Sequence, residues 1–264
     1  MATTLPAATI EAVGEKLYEA ERTQKSLPPL TETYPGINVD DAYAIQRTII
    51  DHKLRDGAQV VGHKIGLTSL AMQQLLGVDQ PDYGHLLDTM MVPDGSAVQR
   101  EDLIAPRVEA EIAFVLREEL RGPGVTVAKV MSATQFVFAA LEIVDSRIAD
   151  WKIKLQDTIA DNASSCRMVQ GGRYVPVDDI DLRLTGLVLE KNGEVANTAA
   201  GAAVLGHPAQ AVAWLANKLA EFDTSLKPGQ VILPGALSAM VPVQAGDQVR
   251  ATFDRLGSVS VRFI

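Results

Sequence analysis

Pro106-Arg107-Val108-Glu109-Ala110-Glu111-Ile112-Ala113-Phe114-Val115-Leu116 is an apolar run that carries two carboxylates two positions apart. It reads as a strand. Side chains alternate across a strand, so Glu109 and Glu111 share one face, about 7 Å apart at Cα, with Val108, Ala110 and Ile112 on the other. Downstream, Phe136 to Val144 is apolar throughout except for Glu142. A strand of that composition is expected to be buried, and a lone buried carboxylate is costly unless it is paired or binds a cation. Three carboxylates with no thiolate or imidazole near them in sequence suit Mg²⁺ or Mn²⁺ better than Zn²⁺. The competing reading is a half-exposed sheet whose wet face carries Glu109 and Glu111, with Glu142 paired to Arg107 or Arg147. Alternating glutamates are common on antiparallel sheets, and pattern alone slightly favours this second reading.

Outward from these two strands the texture changes along the chain. Ala7 to Gln24 has apolar residues at helical spacing (Ile10, Val13, Leu17, Ala20) and ends at Pro28-Pro29. A second helix is expected from a cap at Asn38 or Asp40 through Ala42, Ile45, Ile49 and Ile50 to Gly57. Val60 to Leu67 reads as a strand, and Thr68 or Ser69 as the cap of a helix ending at Gly77. From about Asp82 onward short β-rich runs alternate with turn signals such as Pro93-Asp94-Gly95 and Gln244-Ala245-Gly246. Asn192-Gly193 marks a hairpin. One helix is expected from His207-Pro208 to about Glu221. Helices first and strands afterwards predict an α+β fold with an antiparallel or barrel-like β core. A boundary near residue 80 divides an N-terminal α/β part, 1–80, from a β-rich part, 81–264.

The 264 residues carry a net charge of −9 and a pI near 5.0. That argues against nucleic acid as the principal partner, because binding phosphates needs a positive field. No stretch approaches the roughly 18 apolar residues of a membrane span, and no signal peptide is recognisable, so a membrane partner is not expected and a cytoplasmic location is. Cys166 is the single cysteine, which rules out an internal disulfide and suits a reducing compartment; it reads as a packed core residue.

Other candidates are each open to two readings. Lys64, in Gly62-His63-Lys64-Ile65-Gly66, could neutralise an enolate or move protons, or be an exposed lysine at a strand end. Asp82, in Gln80-Pro81-Asp82-Tyr83-Gly84, could be an acid/base group or a turn residue. The segment Asp161-Asn162-Ala163-Ser164-Ser165 could bind a carboxylate or form an Asx turn. His52, His63 and His85 lack metal-motif spacing, and neither a phosphate-binding glycine loop nor a G-x-S-x-G elbow is present.

These same segments carry a resemblance. Val61-Gly62-His63-Lys64-Ile65-Gly66-Leu67-Thr68, Gly77-Val78-Asp79-Gln80-Pro81-Asp82-Tyr83-Gly84, the Glu109/Glu111 strand and Asp161-Asn162-Ala163-Ser164 occur in order. Together they resemble the hydratase/decarboxylase branch of the fumarylacetoacetate hydrolase superfamily over nearly the whole chain. Asp145 to Thr158 and Ala213-Trp214-Leu215-Ala216-Asn217 are especially hydratase-like. The resemblance implies a mixed, rolled β-sheet core with an N-terminal helical part. It also implies Mg²⁺ or Mn²⁺ on Glu109, Glu111 and Glu142, which reverses the leaning from pattern alone. It assigns catalysis to Lys64, in the N-terminal part, and to Asp82, in the β-rich catalytic domain, and substrate binding to Ser164. The implied activity adds water to 2-hydroxypenta-2,4-dienoate, giving 4-hydroxy-2-oxopentanoate in aromatic meta-cleavage catabolism. Alternatives are decarboxylation of 4-oxalocrotonate, hydration of 2-oxohept-4-ene-1,7-dioate, and a non-catalytic subunit of a hydratase–decarboxylase complex. The longer diacid would need an extra cation, for which Arg147, Lys152 or Lys154 could serve. Partners implied are a small 2-hydroxy or 2-oxo acid, further copies of the chain, and the pathway decarboxylase.

Overall fold

A computed structural model describes residues 3–69, 73–74 and 78–264. Most of the helix expected from Thr68 to Gly77 lies outside the described residues.

The two N-terminal helices form as their patterns require. Helix α1 (Ala7–Thr23) buries Ile10, Val13, Leu17 and Tyr18, a single stripe at helical spacing, and ends in a left-handed Gln24. A short α2 (Leu30–Thr33) precedes α3 (Val39–Arg55). Asn38 caps α3 by accepting from the Asp41 amide at 2.8 Å, while the Asp41 carboxylate accepts from the Asn38 amide at 3.0 Å. Helices α1 and α3 pack on each other.

The chain then enters the sheets through β1 (Val60–Gly66), β2 (Asp82–Leu87), β3 (Met91–Pro93), β4 (Ala97–Val98) and β5 (Arg107–Leu116). After α4 (Val127–Ala133) come β6 (Thr134–Val144), α5 (Leu155–Ala160), β7 (Ser165–Gln170) and β8 (Val175–Pro176). Next are β9 (Gly186–Lys191), β10 (Glu194–Ala200), α6 (Pro208–Ala220), β11 (Val231–Leu233), β12 (Val241–Pro242), β13 (Gln248–Phe253) and β14 (Gly257–Phe263). Among the described residues these strands make two mixed sheets. The larger runs β2-β1-β11-β5-β6-β7-β3, with β12 beside β5 and β8 beside β6; the smaller runs β10-β9-β13-β14-β4. The β9–β10 turn has Asn192 at φ 56° and Gly193 at φ 82°, both left-handed as a two-residue hairpin demands. His207 caps α6, its Nδ1 accepting from the Ala209 amide at 3.1 Å.

The larger sheet rolls until β2 packs near β7, although among the described residues no ladder closes it into a barrel. Strand β1 pairs with both β2 and β11, so chain on either side of residue 80 shares one sheet. Rolling explains the continuous apolar character of β5, which is buried on both faces. Val108, Ala110, Ile112, Phe114 and Leu116 face the main core. Ala113 and Val115 face inward to a second apolar cluster with Leu86, Phe138, Ala140, Met168 and Leu233. The glutamates lie on this inner face. It is the interior of a roll, and the wet-face reading of Glu109 and Glu111 does not hold.

Candidate active site

The β5–β6 ladder places Glu109 directly opposite Glu142, with Glu111 two residues further along the same face. One carboxylate oxygen from each of Glu109, Glu111 and Glu142 lies within 4.8 Å of the others. Glu111 and Glu142 are fully buried, and Glu109 is half-buried. Few partners compensate them. The Gly235 amide donates to Glu111 Oε2 at 2.7 Å, and Ser165 Oγ donates to Glu142 Oε1 at 2.7 Å. Among the described residues Glu111 Oε1 and Glu142 Oε2 accept no hydrogen bond. Glu142 Oε2 does lie 3.3 Å from Lys64 Nζ, an ion pair without hydrogen-bond alignment.

Lys64 is therefore neither exposed nor idle. Only 4% of it is exposed, and its ammonium donates to the Ala163 carbonyl at 3.0 Å. Burial alone would push the amine down, but Glu142, Glu109 and Asp82 outweigh it and hold the lysine protonated, above its usual range. The carboxylates respond in the opposite sense. Burial pushes Glu109 up to about 7, with Glu142 adding to the rise and Lys64 opposing it. Glu111 is raised well above the usual range by burial and by its two carboxylate neighbours.

Asp82 starts β2 and is buried, which replaces its turn-residue reading. Thr158 Oγ1 donates to its Oδ2 at 3.3 Å, and its Oδ1 has no hydrogen-bond partner among the described residues. Burial raises the Asp82 carboxyl, against the pull of Lys64. Gly66 is needed here, because a Cβ at that position would lie 2.2 Å from Asp82 Oδ1 and 3.5 Å from Lys64 Nζ. Asp82 and Lys64 thus crowd the same point. Gly235 has a similar role at the Glu111 end. Its φ of +117° suits glycine, and a Cβ would collide with the Thr68 side chain.

The segment Asn162-Ala163-Ser164 is a tight turn in which all three residues are left-handed, at φ 52°, 50° and 55°. Such strain in non-glycine residues persists only where surroundings impose it. Here the Arg147–Asp161 pair imposes it: Arg147 donates to both the carboxylate and the carbonyl of Asp161, and to the Asp145 and Ser165 carbonyls at 2.7 and 3.2 Å. The turn presents the Ala163 carbonyl to Lys64. Ser164 is buried beside it, with Oγ donating to Asp161 Oδ2 at 3.3 Å. Arg147 is thus committed to Asp161, and Lys152 and Lys154 are exposed, Lys152 against Asp150. None of the three stands as a free cation at the glutamates. The contacts made by Thr158, Ser165, the Gly235 amide and the Arg147–Asp161 clamp were not read from sequence, although Asp161 lies in the Asp161-Asn162-Ala163-Ser164 motif and Arg147 and Thr158 in the Asp145–Thr158 segment.

The donor set fits a divalent cation. Three converging carboxylates, two of them with buried oxygens that lack a hydrogen bond among the described residues, repel one another unless a cation or protons intervene, and an all-oxygen set favours a hard ion.

A family model described as "Fumarylacetoacetate (FAA) hydrolase C-terminal" matches residues 64–264. The chain belongs to the fumarylacetoacetate hydrolase family. It is 46% identical to 2-hydroxyhexa-2,4-dienoate hydratase of Comamonas testosteroni, covering 96% of this chain and 97% of the relative. It is likewise 46% identical to 2-keto-4-pentenoate hydratase of Burkholderia vietnamiensis, covering 97% of each. Among solved structures, 4-oxalocrotonate decarboxylase from Pseudomonas putida G7, complexed with magnesium and adipate, superposes with a TM-score of 0.97 at 42% identity over 100% of both chains.

Proposed function

We propose that this chain is a hydro-lyase that adds water to 2-hydroxypenta-2,4-dienoate, using Mg²⁺ or Mn²⁺ on Glu109, Glu111 and Glu142. The observation that carries the reading is the buried three-glutamate cluster with the Lys64 ammonium paired to it and Asp82 alongside. When bound there, a divalent cation supplies Lewis-acid polarisation of the carboxylate and C2 oxygens of a chelating 2-oxo acid. Lys64, kept protonated by its neighbours, stabilises negative charge that develops on the C2 oxygen. Asp82, its carboxyl raised by burial, handles the protons, with the orphaned Oδ1 as the exchanging atom. A proton leaves the C2 hydroxyl and one is added at C5, giving an α,β-unsaturated ketone. The oxygen of water then joins C4 and a proton joins C3, yielding 4-hydroxy-2-oxopentanoate. Ser164 orients the substrate carboxylate. Its long bond to Asp161 is easily exchanged for one to a ligand.

The hydratase relatives support this substrate, and the decarboxylase neighbour supports a second reading, loss of CO₂ from 4-oxalocrotonate at the same site. Association with further copies of the chain and with the pathway decarboxylase belongs to the same proposal. The test mixes the purified protein and Mg²⁺ or Mn²⁺ with freshly generated 2-hydroxypenta-2,4-dienoate. Loss of the dienol's ultraviolet absorbance with a product heavier by one water is expected, and EDTA should abolish it. A persistent dienol together with CO₂ release from 4-oxalocrotonate would move the assignment to the decarboxylase.

A further inference from the structure

The inner face of β5 has a direction. Arg107, Glu109, Glu111, Ala113 and Val115 follow one another along it, and exposure falls from half-buried at Arg107 and Glu109 to buried at Glu111 and Ala113. Beyond Glu111 the roll is filled by Ala113, Phe138, Met168 and Leu233, so the deep end is closed by apolar side chains. A ligand held by its 2-oxo acid end at the glutamates would extend toward the less buried Arg107 end of this face. Cα of Arg107 is about 7 Å from that of Glu109, a distance its long side chain spans easily.

The guanidinium standing there is under-used. Among the described residues it closes no ion pair, although its charge is felt by Glu109, and its one hydrogen bond is to Met240 Sδ at 3.8 Å. Instead it lies over the Trp151 ring, 4.4 Å from the centroid. Trp151 is fixed in turn by its Nε1 donating to the Ala105 carbonyl at 2.9 Å, on a loop that turns through left-handed Asp150 and Trp151. Stacking holds the planar fork by its face and leaves its N–H edges free, the arrangement suited to bidentate capture of a carboxylate.

We infer that Arg107 is a specificity-determining residue that binds a second carboxylate at the far end of the substrate, so that the site takes 2-oxo diacids in addition to the five-carbon monoacid. This rests on the reading that the glutamates hold a cation which takes the 2-oxo acid end.

The test is equilibrium binding by calorimetry to the Mn²⁺-loaded protein, with 2-oxoadipate and 2-oxohexanoate, which share a chain length and differ in the distal carboxylate. The wild type should prefer the diacid by about tenfold or more, the size of a charge-assisted pair. Arg107→Gln should erase that preference while leaving 2-oxohexanoate within about twofold, and Arg107→Lys should keep part of it. If Arg107→Gln does not fold, the lysine variant decides, since retained preference for the diacid requires the charge. Equal loss of both ligands in Arg107→Gln would show a merely structural role and overturn the inference. Wild-type binding of 2-oxohexanoate without preference for the diacid would overturn it alone. Failure of both acids to bind the wild type would overturn the cation-site reading and this inference with it.

Discussion

Glu142 faces Glu109 across the β5–β6 ladder and meets Lys64 Nζ at 3.3 Å, so one carboxylate belongs both to the acidic cluster and to the site's buried cation. The pair keeps the lysine charged, and the lysine offsets part of the repulsion among the glutamates. Lys64→Met removes that offset. Breaking a buried pair from one side costs about 3–5 kcal/mol, so the metal-free variant should unfold at markedly lower urea than the wild type. Added Mg²⁺ should narrow the gap by supplying the missing positive charge. Urea melts with and without Mg²⁺ check this, and an unchanged gap would show that the cation binds elsewhere.

Metal affinity should depend on pH with a definite sign. In the metal-free chain burial holds Glu109 up at about 7 and Glu111 well above its usual range, so protons occupy the site below neutrality and a cation must displace them. Mn²⁺ affinity should therefore weaken as pH falls below about 7. Titrations followed by electron paramagnetic resonance on both sides of neutrality would show it, and a flat profile would mean that no proton is displaced.

The Arg147–Asp161 clamp holds the left-handed turn that hands the Ala163 carbonyl to Lys64. Asp161→Asn leaves a buried guanidinium short of its counter-charge, and a loss of about 3–5 kcal/mol is expected. Turnover should fall even under conditions where the variant is folded, because the turn no longer fixes Lys64 and Ser164. Denaturant melts paired with rates separate the two effects; full activity in a folded variant would show that the clamp does not position the site.

A histidine pair across the β1–β2 ladder, His63 buried and His85 half-buried, makes a separate forecast about acid stability. His63 and His85 are cross-strand partners with rings 5.1 Å apart, and each Nδ1 is buried without a hydrogen-bond partner among the described residues. Burial, then the neighbouring His85, pushes His63 well below its ordinary 6.5; burial, then Arg47, pushes His85 down to about 4. The unfolded chain takes up protons below 6.5 that the folded chain refuses. This contribution to stability is thus whole above 6.5 and drains as pH falls toward 4, by at most about 1.4 kcal/mol per pH unit for each ring. His85→Gln should flatten the decline measured by denaturant melts between those limits. An equally steep decline in the variant would assign the acid sensitivity to other groups.

Much of this was legible from residues. Helical spacing in Ala7–Thr23, the Asn38 cap and the Asn192-Gly193 turn are local signals, and each produced its element. The period of two in Glu109 and Glu111 gave their shared face. What the period could not say is which side of the sheet is wet, because that depends on the larger sheet rolling over its inner face, a non-local event. The alternative reading of the glutamates failed for this reason. Lys64 looked exposed at a strand end because its partners Glu142 and Ala163 are remote in sequence. The same remoteness hid the pairing of Arg147 with Asp161 and the contacts of Thr158 and Ser165. Family resemblance, which carries non-local information, pointed to Lys64, Asp82 and the three glutamates that the fold brings together.

The central claim is that Glu109, Glu111 and Glu142 together hold one divalent cation, and Mn²⁺ stoichiometry tests it most directly. Free Mn²⁺ measured by electron paramagnetic resonance against protein concentration should show one ion bound per wild-type chain. Under the same conditions Glu111→Gln, folded by circular dichroism, should bind none. A wild type that binds no Mn²⁺, or a Glu111→Gln variant that binds it as the wild type does, would contradict the account.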